Sequence, residues 1–147
     1  MTQKALESNE RRAQFMTDLF DWLSGESDTV VKCSAVREES SNPLVRLFAE
    51  IIQGSSETHI RILNLIHECL TRKAISLTPD ELGQISDLTK GYLEMERKSV
   101  DMAERAIGSS RVFVIKQLLT YMLEDESRNR SLLNQLEDFK RRMYPYL

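Results

Sequence analysis

Three observations predict an all-α fold, most simply a four-helix bundle. The 147 residues include only five glycines and three prolines. No segment stands out with the two-residue apolar alternation of a half-buried strand. Apolar residues instead recur at spacings of three and four along four segments, which are divided by recognisable helix start and stop signals.

The first segment runs from about residue 4 to 41, with Phe15, Leu19, Leu23, Glu26, Val30 and Cys33 on one face. Ser24-Gly25 is the place for a kink or break, because glycine in a helix interior costs about 1 kcal/mol. Ser41-Asn42-Pro43 divides it from the second segment: Asn42 suits an N-cap and Pro43 the first helical position. The second segment, 43–72, aligns Phe48, Ile52, Ser56, His59, Ile62, Ile66 and Leu70. Thr78-Pro79-Asp80-Glu81 starts the third at 79, with Thr78 and Glu81 set for a capping box. That segment, 79–107, aligns Leu82, Ile85, Leu88, Tyr92, Glu96, Ser99, Met102 and Ala106. Gly108-Ser109-Ser110 predicts a glycine stop and a serine restart. The fourth segment, 110–142, aligns Ile115, Leu118, Met122, Glu126, Asn129, Leu133 and Leu136, and Pro145 ends it. No internal repeat or long linker is visible. The 147 residues are expected to form a single domain with a real core.

Apolar content of 41%, charged content of 29%, a net charge of −3 and a pI near 5.5 describe an ordinary water-soluble chain. The charge balance carries no nucleic-acid footprint, despite the basic pairs Arg11-Arg12 and Arg141-Arg142. No segment approaches the roughly 20 apolar residues that cross a bilayer, and the N-terminus lacks the apolar run of a secretory signal. A cytoplasmic protein without membrane or nucleic-acid partners is expected. Cys33 and Cys69 form no CxxC and read as packing residues. The six methionines read as core fillers, and the tail RRMYPYL as a docking segment or dimer contact. No GxSxG, HExxH, glycine-rich phosphate loop or Cys–His pairing is present, which lowers the common nucleophilic and phosphate-handling enzyme classes.

Each apolar stripe is interrupted near its middle by polar residues: Glu26, then Ser56 with His59, then Glu96, then Glu126 with Asn129. Asp125 and Glu94 are near alternatives to Glu126 and Glu96. Alone, His59 would be an ordinary hydrogen-bonded core histidine. His67 reads as a surface residue. Three carboxylates and an imidazole meeting inside a bundle would repel and desolvate one another, and a divalent metal would remove both costs. On that reading Glu26, His59, Glu96 and Glu126 are the metal ligands. Ser56 and Asn129 join as weaker oxygen ligands or as hydrogen-bond partners of the ligands.

The segments NPLVRLFAEIIQGSSETHIRIL and QLLTYMLEDESRNRSLL, with Glu26 in SGESDTVVKC and Glu96 in YLEMERKSV, resemble the ferritin-like superfamily of rubrerythrins and di-iron carboxylate proteins. The resemblance spans about residues 15–140. In that family two helices each give one Glu and two give Glu-x-x-His. Here Ser56-x-x-His59 and Glu126-x-x-Asn129 stand in the latter places, so two of six ligands are replaced. The resemblance implies Fe or Mn redox chemistry or metal handling, in this chain reduced to one metal ion or to an empty polar core. It also implies a long crossover between the second and third helices. Residues 73–78 offer only about 20 Å of extended chain, so an up-down-up-down bundle is the simpler topology unless the second helix stops near Ile66. The alternative is a non-catalytic bundle acting in homodimerisation or with a protein partner, through exposed apolar residues such as Trp22 and Phe139.

Overall fold

The computed structural model describes residues 3–72 and 75–143. Among them there are four α-helices and no strand, the all-α class that the sequence predicts: α1 (Gln3–Glu39), α2 (Pro43–Thr71), α3 (Pro79–Ser109) and α4 (Phe113–Met143). The chain divides into two compact units, Met1–Ile75 and Ser76–Leu147. Each is a helical hairpin, α1 against α2 and α3 against α4.

The helix starts follow the sequence signals. Asn42 Oδ1 accepts the N–H groups of Leu44 (2.9 Å) and Val45 (3.4 Å), and Pro43 opens the helix. Asn42 thereby satisfies N–H groups that have no partner inside the helix. Thr78 and Glu81 form the complete capping box. The Thr78 N–H donates to Glu81 Oε2 at 2.7 Å, and the Glu81 N–H donates to Thr78 Oγ1.

The stops differ from expectation. α1 continues through Ser24-Gly25 without a break. Ser27 and Thr29 there donate their hydroxyls to the Leu23 and Gly25 carbonyls one turn back. Gly108 lies inside α3, and no described glycine takes a positive φ. Ser110, in extended backbone, caps α3 instead, its N–H donating to the Ala106 carbonyl. The Ser110 hydroxyl then accepts the Val112 N–H, and α4 begins only at Phe113. α2 runs past Ile66 to Thr71. Pro145 lies outside the described residues, as does most of the C-terminal tail.

The seam of the first hairpin uses heptad rows. Leu19 and Cys33 are buried on α1 with the half-buried Glu26 between them. Ala49, Ser56 and Leu63 are buried on α2. A seven-residue repeat keeps contacts on one line along two helices. This corrects the predicted α2 stripe. Ser56 belongs to the seam, but Phe48, Ile52, His59 and Ile62 stand on the exposed flank beside it. The small Ala49 and Ser56, rather than the larger neighbours, take the positions of closest approach. In the second hairpin Glu96 and Ala103 are buried, whereas Leu88, Met102 and Met122 of the predicted stripes are exposed.

The two hairpins also form a repeat, contrary to the expectation of none. A shift of 70 residues carries the end of α1 at Glu39 onto the end of α3 at Ser109. It also carries the start of α2 at Pro43 onto the start of α4 at Phe113. The same shift takes buried Cys33 to buried Ala103 and Glu26 to Glu96. Ser56 and His59 map onto Glu126 and Asn129. Few residues are identical across the repeat, so it shows in helix boundaries and burial rather than in letters.

Replacing Thr78 with Ala removes half of a complete capping box. It is expected to lower stability by about 1 kcal/mol, read as a lower urea midpoint at unchanged slope. Ser109→Ala, whose hydroxyl reaches back only to the Ala106 carbonyl in the last turn, is the contrasting substitution and is expected to leave the midpoint in place.

Candidate functional site

Each hairpin holds its own polar cluster at the level the sequence marks. In the first, Glu26 is the hub. His59 Nδ1 lies 2.9 Å from Glu26 Oε1, and Trp22 Nε1 donates to the same oxygen at 3.0 Å. An ionised carboxylate only accepts hydrogen bonds, so the Nδ1 hydrogen points at Glu26 and Nε2 is left for other partners. The buried Ser56 hydroxyl bonds the same carboxylate and is the largest cause holding Glu26 below the ordinary carboxylate pKa, followed by Trp22, with His59 adding to them. The His59 side chain is 47% exposed, so the cluster opens towards the exposed flank of the hairpin.

In the second hairpin Glu96 is 3% exposed, among the most deeply buried side chains described. Such a burial is costly unless the charge is paired and hydrogen-bonded. Arg130, on α4, pairs it: Nε donates to Glu96 Oε1 at 3.0 Å, and Nη2 donates to the same oxygen. Four residues before Glu96, the Tyr92 hydroxyl donates to Glu126 Oε2. Burial is the first cause raising the Tyr92 pKa above its ordinary value, and the bond to Glu126 adds to it. The Asn129 side chain hydrogen-bonds Tyr92 as well and works in the opposite direction.

All six residues marked by the sequence are therefore engaged at these levels, Glu26, Ser56 and His59 in one hairpin and Glu96, Glu126 and Asn129 in the other. Neither near alternative takes this place. Asp125 pairs with Arg128 one turn on, and Glu94 is 3.5 Å from Lys98 on the α3 surface. Sequence reasoning missed Arg130, Tyr92 and Trp22 as participants. A signal for Trp22 and Tyr92 was present: each stands four residues before a marked glutamate, at equivalent positions of the repeat. His67, read as a surface residue, is half-buried and lies against Phe20, with ring centroids 5.7 Å apart.

The donor sets can be tested against the metal that the ferritin-like resemblance implies. Among the described residues, neither hairpin gathers three or more His, Cys, Asp or Glu side chains into a metal-binding group. In the second, the Arg130 guanidinium already supplies the positive charge at Glu96. In the first, Glu26 meets His59 and, as a weaker oxygen donor, Ser56. These residues do not fit the family's two-metal centre. The chain matches no family model, curated protein or solved structure in the comparisons made.

Two outcomes follow. Arg130→Met is expected to cost about 2 kcal/mol, below the full value for a buried pair because Arg130 itself is largely exposed. Adding Glu96→Gln should recover most of that loss in thermal unfolding; equal melting of all three proteins would show the pair to be inert. The second concerns acid. The folded pKa of Glu26 is lowered, so its contribution is complete above the unfolded carboxylate value near 4.5 and is lost as pH falls through the lowered folded value. Ser56→Ala removes the largest cause. Urea midpoints measured from pH 6 to pH 3 should therefore fall less steeply for the variant than for the wild type.

Proposed function

We propose that the chain is a divergent ferritin-like helical protein that works by association, its ligand layer converted into side-chain pairs that hold each hairpin in register. The observation carrying this reading is the Arg130 fork on Glu96. A carboxylate kept for a metal needs its oxygens free and its charge uncompensated. At Glu96 both Arg130 nitrogens occupy Oε1 and compensate the charge, and a guanidinium fixed there repels a divalent cation. The repeat supports the ferritin-like part. Each hairpin has a glutamate midway along the inner face of its first helix, at 26 or 96, and a polar pair three apart on its second, at 56 and 59 or 126 and 129. The association part is supported by large apolar side chains left in solvent, with Trp22 59% and Phe139 53% exposed. Apolar side chains of this size are the kind that a protein contact would cover. A homodimer is the simplest assembly.

A second reading has its own observation. A metal-bound histidine commonly gives its other ring N–H to a carboxylate, and His59 Nδ1 is so engaged with Glu26. His59 Nε2 would then hold a single Fe or Mn ion. Bound metal per chain, after purification with Fe(II) or Mn(II), distinguishes the two. The association reading expects sub-stoichiometric metal, unchanged in His59→Ala and Glu96→Ala, and no rise in melting temperature on adding metal. One equivalent of metal that His59→Ala abolishes would establish the second reading, because a ligand binding only the folded state must stabilise it.

A further inference from the structure

We draw no further inference here: the strongest candidate, the apolar groove of the first hairpin that Val36, Val45, Phe48 and Ile52 line beside Lys32, is an unpartnered helix face, and nothing in the structure shows what covers it.

Discussion

The second hairpin is organised by one electrostatic requirement. A glutamate placed in the seam between two helices loses its water, and something must replace it. Arg130 does so from the neighbouring helix, reaching Glu96 with two nitrogens while most of its own side chain stays in solvent. This geometry limits the desolvation cost to one partner and still compensates the buried charge. It also fixes axial register. Sliding α4 by one turn would strand Glu96 and separate Tyr92 from Glu126. Glu26 plays the same part in the first hairpin by other means: there a hydroxyl, an indole and an imidazole share the work.

The 70-residue repeat gives these clusters a common logic. Trp22 and Tyr92 occupy equivalent places and each donates to a carboxylate, but to different ones. Trp22 serves the glutamate on its own helix, while Tyr92 crosses to α4. The divergence follows from what stands opposite. Ser56 is small enough to let Glu26 reach α2 directly, whereas Glu126 fills the equivalent position and draws the tyrosine towards itself. The far end of each second helix is also tied at equivalent positions. The Leu70 carbonyl accepts from Arg12, and the Lys140 ammonium donates to Ser86 at 2.9 Å.

What was legible in the sequence was local. Asn42, Pro43 and the Thr78–Glu81 box act within four residues of themselves, so their chemistry is written in adjacent letters. The levels of Glu26, Ser56, His59, Glu96, Glu126 and Asn129 were legible for a related reason: a polar residue within an apolar period marks its own position. The illegible features depend on two helices at once. Arg130 looks like one more surface arginine until α3 is placed beside it. The α2 stripe was misplaced because that helix carries more apolar residues than its seam can use, and periodicity alone does not say that Ala49 and Ser56 sit closer to α1 than Phe48 and Ile52. Gly108 was read as a stop because glycine permits one. The actual stop is made by Ser110, whose hydroxyl turns the chain.

The short turns have a kinetic consequence. Three residues, 40–42 and 110–112, join the helices within each hairpin. Closing so small a loop restricts little chain, and the tertiary contacts of each hairpin connect residues near one another in sequence. Topologies of that kind cross low entropic barriers and fold fast, on microsecond to millisecond scales. A nascent chain would therefore complete its first hairpin, with Glu26 already paired, before the second had been synthesised.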